Sequence, residues 1–177
     1  MPLVNGRILL DRIQEKRVLA GAFNTTNLET TISILNAIER SGLPNFIQIA
    51  PTNAQLSGYD YIYEIVKRHA DKMDVPVSLH LDHGKTQEDV KQAVRAGFTS
   101  VMIDGAAFSF EENIAFTQEA VDFCKSYGVP VEAELGAILG KEDDHVSEAD
   151  CKTEPEKVKT FVCLLYTSPS PRDGATS

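Results

Sequence analysis

Cysteine is scarce in this chain of 177 residues: three thiols, Cys124, Cys151 and Cys163, with no C-x-x-C spacing. So odd and scattered a set excludes a disulfide framework and a paired-thiol motif. It fits the reduced thiols of a cytoplasmic protein. Basic charge is also short, 17 Lys and Arg against 26 Asp and Glu. The resulting net charge of -9 argues against a nucleic-acid partner, which selects a basic face. It also offers no basic patch to an anionic membrane. No apolar run approaches the roughly 20 residues that span a bilayer, and the N-terminus lacks the apolar core of a signal peptide. No G-x-G-x-x-G or phosphate-binding P-loop follows any apolar run, so nucleotide binding lacks its usual support.

What is present is an ordinary globular composition, 42% hydrophobic and 24% charged, enough for one domain with a sizeable core. Apolar periodicity predicts five short strands, over 18–23, 46–50, 75–84, 100–103 and 129–135. Between them lie helical patterns. The first covers 7–16. The second is capped by Asn27, with Leu28, Ile32, Leu35 and Ile38 as its stripe. A third starts near Tyr59. A fourth opens at Thr86 with Asp89 three residues on, close to a capping box. The fifth starts at Ser109, with Ile114, Thr117, Val121 and Cys124 on one face. A loop rich in Gly and acids is expected over 136–150, and a helix over 154–162. Strands alternating with helices predict parallel βαβ units in an α/β fold.

That alternation alone leaves open a doubly wound sheet or an unfinished (β/α)8 barrel. The strand ends favour the barrel. They fall at Asn24, Ala50, Asp82, Asp104 and Glu134, and four of the five carry the polar groups that barrel enzymes gather at this end. An open sheet concentrates its ligand contacts at one switch point.

The stretch Leu79-His80-Leu81-Asp82-His83-Gly84 is the most informative. It reads as a rigid strand ending in an acid and an imidazole, with Gly84 expected to supply a sharp turn. Alternation sets Ser78, His80 and Asp82 on one face, toward the barrel interior, and Val77, Leu79 and Leu81 on the other, against helices. His80 is expected to hydrogen-bond inside the barrel rather than bind metal. His83, with Asp82, Asp104 and Glu134 on neighbouring tips, makes a nitrogen-and-oxygen donor set suited to Zn2+ or a similar ion. Asp104 could equally cap the following helix, and Glu134 could form a rim salt bridge. Within the acidic loop, Gly136 and Gly140 flank an apolar segment ahead of Glu142, Asp143 and Asp144. That segment reads either as a hinged carriage for a proton-accepting carboxylate or as a solvated turn.

Four runs resemble class II aldolases, in particular the fructose- and tagatose-bisphosphate aldolase group. They are 79–84, 96–105 (Ala-Gly-Phe-Thr-Ser-Val-Met-Ile-Asp-Gly), 110–113 (Phe-Glu-Glu-Asn) and 131–136 (Val-Glu-Ala-Glu-Leu-Gly). Gly21 to Asn24 and Asn27 to Glu29 are similar to the family's first strand and turn. The similarity covers about residues 1–162, in order.

The resemblance implies a (β/α)8 TIM barrel of which about the first five βα units are present. It also implies aldol cleavage of a ketose bisphosphate to dihydroxyacetone phosphate and an aldehyde, through a zinc-stabilised enediolate. By motif match His83 is a catalytic zinc ligand. Asp82 is the acid/base at the aldehyde oxygen. Asp104 and Glu134 are ligands of a second divalent-metal position, Glu142 is the α-proton acceptor, and Asn24 contacts substrate. The sequence departs from the family in three places. Ala106-Ala107 stands where Ser-His is common, Ala50-Pro51 where a small polar residue is common, and Leu139-Gly140 where a Gly-Gly pair is common. The family's two further zinc-binding His and its phosphate site belong to later strands.

Residues 1–162 are therefore expected to be the N-terminal part of such a barrel, inactive and poorly stable alone, from a cytoplasmic and homo-oligomeric full-length protein. Residues 163–177 lose all apolar periodicity, resemble translated adapter sequence, and are expected to be a foreign, disordered tail. The competing expectations are a non-catalytic metal- or sugar-phosphate-binding α/β domain and a class II aldolase for another phosphorylated keto-sugar.

Overall fold

The structure is a computed structural model and describes residues 2–136, 140–142, 145–147 and 153–165. Helix α1 (Gly6–Lys16) precedes five strands, β1 (Ala22–Asn24), β2 (Asn45–Ile49), β3 (Val77–Gly84), β4 (Ser100–Ile103) and β5 (Val131–Ala133). Helix α2 (Leu28–Ser41) joins β1 to β2. Helices α3 (Pro51–Ser57) and α4 (Tyr59–Ala70) join β2 to β3. Helix α5 (Gln87–Ala96) and then α6 (Phe110–Lys125) complete the next two crossovers.

All four pairings within this five-stranded sheet are parallel and the spatial order is β1-β2-β3-β4-β5. This order decides between the two architectures. A doubly wound sheet reverses its strand order at a switch point. Here each strand lies beside its predecessor, as in a barrel. The fold is an incomplete (β/α)8 barrel of five βα units.

The helix starts follow from their caps. Thr86 accepts from the Asp89 amide at 3.1 Å while the Asp89 carboxylate accepts from the Thr86 amide at 2.9 Å. Asn27 and Ser109 open reciprocal capping boxes of the same kind, each removing orphan amides from a helix end. Gly42 and Gly97 end their helices in the left-handed conformation that glycine adopts without strain.

Packing divides the sheet into two faces. Val77, Leu79 and Leu81 join Ile47, Ile49, Val101 and Ile103 in an apolar layer against Leu35, Ile38, Ile62, Val66, Val90 and Val94 of the helices. Each such side chain contributes about 1.5–3 kcal/mol by leaving water. The opposite face carries Phe46, Gln48, His80, Asp82, Ser100, Met102 and Glu132 around a cleft of about 1760 Å³. The alternation predicted for β3 is thus the alternation of the whole sheet.

Several expectations are corrected. The first strand is three residues long, and Phe23 is 46% exposed, because β1 is an edge strand in this sheet rather than a buried one. Leu28 is also exposed. Thr31 takes its place on the buried stripe of α2 by bonding the Thr25 hydroxyl at 2.7 Å. On α6 the buried face is Asn113, Thr117, Ala120 and Cys124, turned slightly from the expected one. Pro51 starts α3 at its first turn, where its missing N–H costs nothing. Within the expected loop, β6 (Gly140–Glu142) pairs antiparallel with β7 (His145–Ser147). Helix α7 (Pro155–Leu165) continues past residue 162. The expected tail from Tyr166 onward lies outside the described residues.

Candidate active site

The tip of β3 is irregular, and the irregularity builds the site. Leu81 pairs with Val101, but Gly84 pairs with Ile103, so three steps along β3 match two along β4. The extra residue is a β-bulge, a feature that kinks a strand and re-aims its side chains. His83 sits within it at φ 48°, in the left-handed region. On a regular strand Asp82 and His83 would face opposite sides of the sheet. Across the bulge their side chains approach instead, with His83 Nε2 3.9 Å from Asp82 Oδ1. The sharp backbone turn is therefore made by His83 and not by Gly84. The glycine serves close approach, since a Cβ there would lie 2.7 Å from the Met102 carbonyl oxygen.

Three strand tips converge on the imidazole. His83 Nδ1 lies 3.0 Å from Asp104 Oδ2 and 3.4 Å from Glu134 Oε2. Ligand atoms of His83, Asp104 and Glu134 all lie within 4.8 Å of one another. Asp104 is held in place by the Ala106 amide, which donates to Oδ1 at 3.0 Å, and by the Lys85 ammonium on Oδ2. The backbone at Glu134 is fixed by Asn113 of α6, whose Nδ2 donates to the Glu134 carbonyl at 2.8 Å. Thr117 in turn donates to Asn113 Oδ1 at 3.1 Å. Gly105 leaves room for this buried amide, because a Cβ at 105 would overlap it.

Electrostatics follow from this crowding. The hydrogen bond to Asp104, with Asp82 and Glu134 nearby, outweighs burial and raises the His83 pKa to about 9. Burial pushes the Asp104 carboxyl up, but the donors His83, Lys85 and the Ala106 amide overcome it and hold it well below the usual carboxylate range. His80 behaves differently. Burial, with the charge of His83, lowers its pKa to about 4. It is a neutral interior group, with Nδ1 2.8 Å from Ser100 Oγ and Nε2 3.7 Å from Glu132 Oε2. Burial and the neighbouring Asp82 charge raise the Glu132 carboxyl.

An imidazole and two carboxylates meeting from three rigid strands form a donor set that fits Zn2+ or a similar divalent ion. Asp82 lies beside this set and accepts from Asn24 Nδ2 at 3.1 Å. The structure thus brings together five of the six residues singled out in the sequence. The backbone of the sixth, Glu142, ends β6 opposite His145. Its side chain lies outside the described residues. Two groups were missed. Glu132 shares strand parity with Glu134, which was a usable signal. Lys85 follows the turn by two residues, and only the bulge directs it back to Asp104.

The family model for class II fructose-bisphosphate aldolase matches residues 4–167. The chain belongs to the class II fructose-bisphosphate aldolase family. It is 39% identical over 165 residues to a Bacillus subtilis (strain 168) protein named "Probable fructose-bisphosphate aldolase". It is 38% identical over the same length to the fructose-bisphosphate aldolase of Staphylococcus aureus (strain Mu50). Each alignment takes in 92% of this chain and 58% of the relative, so the chain spans little more than half the length of these family members. The YdjI aldolase from Escherichia coli K12 superposes with a TM-score of 0.78 at 31% identity, over 92% of this chain and 57% of that structure. Among the described residues, no helix is long and apolar enough to cross a membrane.

Proposed function

We propose that the protein to which these residues belong is a zinc-dependent ketose-bisphosphate aldolase. It cleaves fructose or tagatose 1,6-bisphosphate reversibly to dihydroxyacetone phosphate and glyceraldehyde 3-phosphate. The observation that carries this reading is the meeting of His83, Asp104 and Glu134 at one rim, directly beside Asp82. A divalent cation held by that rim would act as a Lewis acid on the ketone oxygen. His83 serves the catalytic ion, and Asp104 with Glu134 provides a second cation position.

Asp82 takes the proton of the C4 hydroxyl as the C3–C4 bond breaks, and in condensation returns it to the aldehyde oxygen. The Asn24 amide orients the Asp82 carboxylate for this transfer and faces substrate. The electron pair of the broken bond stays on the three-carbon phosphate half, where the Glu142 carboxyl delivers a proton to carbon. In the reverse direction Glu142 removes that proton. The five βα units here do not suffice on their own, and the 177-residue chain alone is inactive.

The test is release of dihydroxyacetone phosphate by a protein carrying these residues within a whole barrel. Activity is expected to vanish after chelation and return on adding Zn2+. Cleavage that persists in chelator would overturn the reading.

A further inference from the structure

Asp104 Oδ2 has two claimants. His83 Nδ1 approaches it at 3.0 Å, and the Lys85 ammonium contacts the same oxygen. The other oxygen is committed to the Ala106 amide at 3.0 Å. Turning the carboxylate to offer Oδ1 to the rim would break that bond. A metal ion held by Asp104 and Glu134 must therefore take Oδ2, the oxygen on which Lys85 rests.

The two partners differ in freedom. The Asp104 side chain is 7% exposed and pinned at the end of β4, whereas that of Lys85 is 46% exposed. A lysine stem of four carbons can release its ammonium to water without disturbing the backbone. Three carboxylates, Asp82, Asp104 and Glu134, meet around one imidazole, so a cation on Asp104 relieves their mutual repulsion.

We propose that Lys85 is a resident cation of this rim: its ammonium neutralises Asp104 while the metal position is empty and competes with a divalent ion for Oδ2. This rests on the reading of Asp104 and Glu134 as a cation position. It makes Lys85 a residue that sets metal affinity without ligating metal. Two effects of opposite sign follow from one side chain. Removing the ammonium stabilises the metal-bound form relative to the metal-free form, and it destabilises the metal-free form. A merely structural Lys85 would weaken both.

The test is calorimetric titration of Zn2+ into the full-length protein and its Lys85→Met, Lys85→Arg and Asp104→Ala variants, with thermal unfolding of each in chelator. Lys85→Met is expected to bind Zn2+ about tenfold more tightly, from removal of a unit charge near the ion. It should also unfold at a lower temperature when metal-free. Lys85→Arg keeps the charge and should match the parent. Asp104→Ala should lose one binding event. If Asp104→Ala loses that event while Lys85→Met binds the ion equally or more weakly, the inference about Lys85 is overturned and the site stands. If zinc stoichiometry and affinity are unchanged in Asp104→Ala, the site reading falls and this inference falls with it.

Discussion

Asn24 and Asp82 are 58 residues apart, on strands β1 and β3 that do not pair, yet Asn24 Nδ2 donates to Asp82 Oδ2 at 3.1 Å. Strand β2 runs between them. Two strand spacings amount to about 9.6 Å, more than a short amide and a short carboxylate bridge across a flat sheet. The bond exists because the sheet curves toward the face that carries both side chains. Five strands already impose the curvature of a barrel, and that curvature aims Asn24 at the acid.

Asn24→Ala removes a hydrogen bond to a charged group, worth about 1.5–3 kcal/mol. In a protein with the whole barrel, kcat is expected to fall roughly 10–100-fold with zinc affinity unchanged. Steady-state cleavage rates alongside zinc titration check this. Loss of zinc binding in the variant would contradict the assignment of Asn24 to Asp82 rather than to the ion.

Asn113 supports the site from behind. Asn113→Ala frees the Glu134 carbonyl and the Thr117 hydroxyl, and Gly105→Ala forces the same amide out of place. Each is expected to cost about 1–3 kcal/mol in urea unfolding. A neutral Gly105→Ala would show that Asn113 does not hold this position.

The raised pKa of His83 makes metal-free stability depend on pH. Its folded value, about 9, lies above the ordinary 6.5, so its contribution is fully present below pH 6.5 and is lost as pH rises through 9. Denaturant midpoints of metal-free protein at pH 6.5, 8 and 9.5 should fall in that order. His83→Gln should flatten the series. An equal slope in the variant would assign the effect to other groups.

Most of the scaffold was legible in the sequence because it rests on local rules. Capping pairs such as Thr86 with Asp89, and the alternation of β3, act over a few residues. The strand tips followed once the strands were placed. What stayed hidden depends on pairing between strands. The exposure of Phe23 follows from the edge position of β1. The pairing of Asp82 with His83 was expected but its means was not: simple alternation would part them, and they meet because β3 gains a residue against β4. The Lys85 contact depends on the same bulge.

The most direct test separates proton transfer from cation binding at the tip of β3. In a protein carrying the whole barrel, Asp82→Ala should keep the parent's zinc stoichiometry and lose cleavage activity by about 10²–10⁴-fold, the range for removal of a positioned acid/base. Cleavage within a few-fold of the parent, or loss of bound zinc in this variant, would contradict the role given to Asp82.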